Sequence, residues 1–199
     1  MQIERIVLGD LRSNCYILHD QGRAMIIDPG YENDRVIPFL EEHDLVLDKI
    51  YITHGHFDHI GGIPQLKDYV RVTVYAPKKD EPWFRDSKYS PFDGEIPVDV
   101  WVDDGDEIDF AGHTFRVIAT PGHSQGGTSL YAPSVLFSGD TLFYQSIGRT
   151  DLPYADAKTL YRSIKKLYAL PDDTTVYPGH GRETTIRHEK TANPFIRDH

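Results

Sequence analysis

Residues 53–59 read Thr-His-Gly-His-Phe-Asp-His, three histidines and a carboxylate within six consecutive positions, directly after an apolar run. In extended backbone, side chains two residues apart point the same way, so His54 and His56 can converge on one ion. A turn into a following helix swings Asp58 and His59 towards a neighbouring point. The spacing serves two metal positions rather than one. Further candidate ligands stand in matching contexts: His123 in Thr-Pro-Gly-His-Ser, Asp140 in Ser-Gly-Asp-Thr and His180 in Pro-Gly-His-Gly. Each follows an apolar run and lies beside glycine, as expected of a loop leaving the end of a strand. Neutral imidazoles and carboxylates suit Zn²⁺, Fe²⁺ or Mn²⁺, and no thiolate stands at these positions to suggest a purely structural zinc. Two such ions about 3.5–4 Å apart lower the pKa of a shared water and polarise a carbonyl, which is hydrolytic chemistry.

The remaining sequence must carry these loops. The pattern predicts strands over residues 14–18 and 23–27, joined by a turn at Asp20-Gln21-Gly22. It then predicts a helix over 33–43, a strand over 49–53, a helix over 58–69, a strand over 72–76 and a short helix over 79–86. Residues 88–97 carry two prolines and a glycine and read as an irregular surface loop. The segment 78–97 brings Trp83, Phe84, Arg85, Lys88 and Tyr89 to where they can fold over the metals. From residue 98 to 143 the chain reads as mostly β, with turns at Asp104-Gly105, Ala111-Gly112 and Ala132-Pro133. An amphipathic helix over 155–170, a strand over 174–177 and a helix over 183–190 follow. Two β-rich halves, each with helices, imply two sheets packed face to face between helical layers.

Composition narrows the function. The chain has 199 residues, 21 basic and 31 acidic, for a net charge of −10. No basic stripe offsets that charge, so neither nucleic acid nor an anionic membrane is an expected partner. No apolar run reaches bilayer length and the N-terminus is acidic, so a cytoplasmic location is expected. Cys15, the one cysteine, cannot form an internal disulfide and reads as a small buried hydrophobe. His19, His43, His113, His188 and His199 stand outside metal-loop contexts and read as structural or solvated.

The His-x-His-x-Asp-His segment, followed in order by Pro-Gly-His, Ser-Gly-Asp-Thr-Leu-Phe, Gly-Arg-Thr-Asp and Pro-Gly-His-Gly, resembles the metallo-β-lactamase superfamily. Within it, the chain is similar to the compact glyoxalase II-like (hydroxyacylglutathione hydrolase-like) hydrolases. The likeness runs from residues 11–16 to Asn193-Pro194-Phe195. It implies an α+β, four-layer αββα sandwich over residues 1–199, without the C-terminal helical domain of full-length glyoxalase II. It also implies a dinuclear centre: one ion on His54, His56 and His123, the other on Asp58, His59 and His180, with Asp140 bridging. Asp58 then serves as ligand and orienter.

The implied reaction is hydrolysis of an acyl thioester, such as S-lactoylglutathione, by metal-bound hydroxide, in a monomer or small homo-oligomer. Two divalent ions per chain are expected, Zn²⁺ first, with Fe or Mn as alternatives. Arg149 occupies a place similar to the basic residue that contacts glutathione in those enzymes, so it either clamps a substrate carboxylate or pairs with Asp151 to shape its loop. Arg182 stands where larger relatives carry a substrate-contacting tyrosine. Glutamate replaces His56 in flavodiiron relatives, and cysteine or a non-ligand usually replaces Asp140 in β-lactam hydrolases, which disfavours both. The alternative readings are a persulfide dioxygenase, with a single iron on His54, His123 and Asp140, and a metal-binding protein without catalysis.

Overall fold

A computed structural model describes residues 1–86, 92 and 94–196. The first half contains β1 (Gln2–Leu8), β2 (Ser13–Asp20), β3 (Arg23–Ile27), α1 (Val36–Glu42), β4 (Val46–Tyr51), α2 (Phe57–Ile60), α3 (Ile63–Tyr69), β5 (Thr73–Pro77), a 3₁₀ turn (Lys78–Asp80), α4 (Glu81–Arg85) and β6 (Val100–Val102). The second half contains β7 (Glu107–Phe110), β8 (His113–Ala119), β9 (Thr128–Ala132), β10 (Val135–Gly139), the small hairpin β11 (Leu142–Phe143) and β12 (Ser146–Ile147), α5 (Ala157–Tyr168), β13 (Thr175–Pro178), β14 (Thr184–Thr185) and α6 (Ile186–Ala192). Each half forms a six-stranded mixed sheet, in the orders β1-β2-β3-β4-β5-β6 and β14-β13-β10-β9-β8-β7.

Side-chain alternation assembles the layers. On β2 and β3, Cys15, Ile17, Ala24 and Ile26 face outward into a core shared with α1, α3 and α4, where Val36, Leu40, Leu66 and Phe84 are buried. Their neighbours Tyr16, Leu18, Met25 and Ile27 face inward, onto Phe115, Val117, Leu130 and Phe137 of the second sheet. That sheet's outer face, with Ile118, Leu136 and Val176, is covered by Leu160, Ile164 and Leu167 of α5 and Ile186 of α6. The result is the expected αββα sandwich. No helix among the described residues is long and apolar enough to cross a membrane.

Several expected elements change. The helix expected over 58–69 is two helices, broken where Gly62 passes so close to Asn33 and Pro29 that an added Cβ would lie 2.2 Å from Asn33 Nδ2. The strand expected from residue 49 starts at Val46 and ends at Tyr51, which releases the His54 loop earlier. The helices expected over 33–43, 155–170 and 183–190 are shorter; α5 starts after Asp156, whose carboxylate accepts from Thr159 N–H, and α6 after Thr185, whose hydroxyl accepts from His188 N–H. The expected loop over 88–97 falls partly outside the described residues, as do Lys88 and Tyr89.

Candidate metal centre

Every candidate ligand leaves the same edge of the sandwich. His54, His56, Asp58 and His59 follow β4, His123 follows β8, Asp140 follows β10 directly, and His180 follows β13. Three groups result, each with donor atoms within 4.8 Å of one another; one, Asp28–His54–His59, includes the Asp28 carboxylate that meets His59 Nδ1, and the other two are the triads His54–His56–His123 and Asp58–His59–His180. Asp140 stands between them. Its Oδ2 is 3.3 Å from His123 Nε2, 4.0 Å from His54 Nε2 and 3.5 Å from His180 Nε2, and its Oδ1 is 3.6 Å from His59 Nε2. A carboxylate that faces both triads at once has the position a bridging ligand needs.

The donor set fits cations on its own chemistry. His54 Nε2, His56 Nε2, His59 Nε2 and Asp140 Oδ1 are buried without a hydrogen-bond partner. Orphaned buried polar atoms are costly and rare in native proteins, and three of these, His54 Nε2, His59 Nε2 and Asp140 Oδ1, lie beside one another and call for a ligand. His56 Nδ1 also faces His123 Nε2 at 2.9 Å, an arrangement of two ring nitrogens that holds one shared proton or one cation.

The charges agree. Burial, reinforced by the other histidines, holds His54 well below the ordinary imidazole range, and burial with His123 lowers His56 to about 3, so both are neutral donors. Asp140 stays well below the carboxylate range because the charge of His59 and the hydrogen bond with His123 outweigh its own desolvation. Burial would depress His59 too, yet Asp58, Asp140 and Asp28 raise it to about 10. A cation entering beside His59 replaces that proton.

Three further groups hold the loops, and none stands in the ligand pattern. Asp28 accepts from Thr53 N–H (2.8 Å) and Thr53 Oγ1 (2.6 Å), and its Oδ2 lies 2.9 Å from His59 Nδ1, which fixes Nε2 as the inward atom. Its backbone is left-handed, φ +52°, rare for a non-glycine residue. Asp80 is fully buried at the end of the 3₁₀ turn and joins two ligand loops: it accepts from Gly55 N–H at 2.9 Å, Ser124 Oγ at 2.6 Å and Gly126 N–H at 2.6 Å. Ser13 and Asn14 do the same for the second triad. Ser13 Oγ donates to Asp58 O (2.7 Å), while Asn14 donates from Nδ2 to Pro178 O (2.8 Å) and Gly181 O (2.9 Å) and from its backbone to Gly179 O (2.7 Å). The Asp28-Pro29-Gly30 break after a strand was the available signal for Asp28; Asp80 had none beyond following a predicted strand.

The two arginines lie at the edge of this centre. Arg149 lines the metal cavity, its carbonyl accepts from His123 Nδ1 at 2.9 Å, and its guanidinium grips Asp151 through Nε (2.9 Å) and Nη2 (2.8 Å). Arg182 is packed over the Tyr144 ring, 3.5 Å from its centroid, and does not line the cavity. Trp83 does line it, edge-on to His56 with ring centroids 4.6 Å apart.

Comparisons with known proteins agree with this architecture. The family model of the metallo-beta-lactamase superfamily matches residues 8–180. The chain is 37% identical to hydroxyacylglutathione hydrolase GloC of Haemophilus influenzae, over 98% of both chains. Among solved structures it is similar to BLEG-1, described as a B3 metallo-beta-lactamase, with a TM-score of 0.91 at 38% identity over 98% of this chain and 99% of that one. It is also similar to TTHA1623 in a di-iron-bound form, with a TM-score of 0.86 at 35% identity over 97% of this chain and all of the other. On the strength of that match and of the sandwich described above, the chain belongs to the metallo-β-lactamase superfamily.

Proposed function

We propose that the protein is a metal-dependent hydrolase of acyl thioesters, with two divalent cations per chain. The observation that carries this reading is the place of Asp140, within 4.0 Å of imidazole nitrogens from both triads. His54, His56 and His123 would hold one cation, Asp58, His59 and His180 the other, and Asp140 both. Bound there, the pair supplies Lewis acidity that brings a water to its ionised form near neutral pH and polarises a carbonyl. In the overall reaction, water oxygen forms the new C–O bond, the C–S bond breaks, one of water's protons ends on the released thiol and the other passes to solvent as the carboxylic acid ionises.

The chain's own groups prepare that step. Asp58, buried and held below the usual carboxylate range by His59 and His180 despite its desolvation, stays ionised and acts as ligand and orienter rather than as a base. Asp28 fixes the tautomer of His59. Phe57, Trp83 and Phe143 wall the cavity and limit water around the reacting carbonyl. Arg149 stands where the carrier part of a substrate leaves the cavity and must release Asp151 to meet a carboxylate there, whereas Arg182, packed over Tyr144, is outside the cavity lining. The likeness to GloC supports an S-acylglutathione or another thiol carrier, and the net charge of −10 speaks against nucleic acid and anionic membranes as partners.

Zinc, manganese and iron forms, each assayed with a panel of thioesters, a β-lactam and a glutathione persulfide, test the reading. Thioester turnover that disappears with chelation and returns with metal is expected. Oxygen consumption with the persulfide, or β-lactam opening without thioester turnover, overturns it. The β-lactam is included because of the likeness to BLEG-1.

A further inference from the structure

Glu189 on α6 is a fully buried carboxylate outside the metal centre. Its Oε1 accepts from Thr184 Oγ1 at 2.6 Å, and its Oε2 accepts from Gln145 N–H at 3.0 Å and from Asn193 Nδ2 at 2.9 Å. Asn193, just past α6 and equally buried, donates from the same amide to Ser146 O at 3.1 Å. His188 adds a third hold: its ring stacks on Tyr144 with centroids 5.0 Å apart, and its Nε2 meets Gln145 Nε2 at 3.1 Å.

Tyr144, Gln145 and Ser146 belong to one small hairpin. Phe143 pairs with Ser146 across β11 and β12, so Tyr144 and Gln145 form a two-residue loop. Gln145 is left-handed there, φ +51°, which a residue with a side chain adopts at a cost and keeps when its surroundings hold it. Strands of two residues do not supply that hold by themselves. The hairpin connects Asp140 to Arg149. Gly148 N–H closes its base on Thr141 O at 3.3 Å, and the carbonyl of Arg149, the next residue, accepts from His123 Nδ1 at 2.9 Å. Phe143, on the first strand, walls the metal cavity and meets the His180 ring with centroids 6.2 Å apart. A shift of the turn therefore reaches a cavity wall through one strand and the carbonyl behind a ligand histidine through the other.

We infer that Glu189 is a positioning residue: with Asn193 it fixes the turn of the β11–β12 hairpin, and so sets Phe143 against the substrate and the Arg149 carbonyl behind His123. Contact with substrate rests on the thioester reading above, whereas the hold on His123 stands without it.

Thr184→Val supplies the comparison, because it takes a donor from the same carboxylate on the side away from the hairpin. Glu189→Ala and Thr184→Val should both lower the melting temperature of the metal-free protein. Only Glu189→Ala should also change the centre. The visible absorption of its cobalt-loaded form should shift, and one of two chelator-resolved binding steps should weaken by about threefold to tenfold, short of the roughly 10–100-fold usual when a ligand loses its direct partner. At saturating metal, KM for the propionyl thioester of N-acetylcysteamine should rise about threefold with kcat within about twofold of the wild type. Glu189→Gln should keep wild-type values, because its carbonyl accepts from Gln145 and Asn193 while its NH₂ donates to a Thr184 hydroxyl turned to accept. Asn193→Ala, which frees Ser146 O, should show the Glu189→Ala changes on a smaller scale, and takes its place where Glu189→Ala does not fold.

Stability lost in Glu189→Ala with spectrum, binding steps and KM unchanged overturns the inference. So do changes of equal size in Thr184→Val, or a Glu189→Gln variant as altered as Glu189→Ala. If no form cleaves a thioester, yet the cobalt spectrum shifts in Glu189→Ala and not in Thr184→Val, the thioester reading falls and the hold on His123 stands.

Discussion

Replacing Asp80 tests whether one buried carboxylate sets the geometry of one metal position and not the other. Asp80 contacts neither triad directly; it accepts from Gly55 N–H, between His54 and His56, and from Ser124 Oγ and Gly126 N–H, just beyond His123. Burial raises its own pKa, and those three donors offset part of the rise. Asp80→Ala leaves three buried donors unpaired at about 1–3 kcal/mol each, so a total near 3–6 kcal/mol is expected once some rehydrate. Asp80→Asn keeps the shape but turns an NH₂ towards a donor, at a cost of about 1–3 kcal/mol. The effect on metal should be one-sided. Loosening His54, His56 and His123 together should weaken one of two chelator-resolved binding steps by about 10–100-fold, the usual effect of losing a partner that orients ligands. The other step depends on Asp58, His59 and His180, which Ser13 and Asn14 hold, and should move by less than about threefold. Competitive chelator titration of Asp80→Asn resolves the two steps, and metal-free thermal unfolding reports stability separately. Equal weakening of both steps, or lost stability with both affinities unchanged, would refute the reasoning.

Other perturbations read other parts of the structure. Asp151→Asn frees the Arg149 guanidinium, and KM for an anionic thioester should fall about twofold to threefold, with little change for an uncharged one; unchanged values for both would place Arg149 outside substrate binding. Gly179→Ala would set a Cβ 2.1 Å from Asp140 Oδ1 and 2.9 Å from His59 Cε1, so it should cost bound metal by atomic absorption, and full metal content would show that the loop yields freely. Acid stability follows from ion pairs away from the centre. Lys166 and Ala119 N–H hold Asp104 below its ordinary 3.8, and Lys67 and Val74 N–H lower Asp99 despite its desolvation. A carboxylate with a depressed folded pKa contributes stability above its unfolded value, and that contribution is lost as pH falls through the folded one. The metal-free melting temperature should therefore drop below about pH 4, less so in Lys67→Ala, and a flat profile down to pH 2 would contradict this.

The candidate ligand groups were legible as a cluster because metal chemistry restricts residue type, and because strand ends followed by glycine mark where backbone can approach a site. His54, His56, Asp58, His59, His123, Asp140 and His180 are the residues that the fold gathers at one edge. The layers were legible too, since β2 and β3 are apolar on both faces and so require cover on both. What holds the loops was not. Asp80 reaches residues 25, 44 and 46 positions away, and Asn14 reaches over 160, so no local spacing records either. The first strand was also missed, because Gln2–Leu8 is an edge strand in which Glu4 and Arg5 stand together between Ile3 and the run Ile6-Val7-Leu8, so apolar and polar residues do not alternate. Arg149 was read with two partners open, and the one present in the structure, Asp151, is two residues away.

If Asp140 joins two metal positions, each chain binds two ions. Metal content by inductively coupled plasma spectrometry, on protein loaded with Zn²⁺ and freed of excess by gel filtration, tests it most directly. The wild type should retain two ions per chain. Asp140→Ala, folded by circular dichroism, should retain one or none and lose thioester turnover. A wild type that saturates at one ion, or an Asp140→Ala variant that still holds two, would contradict the account.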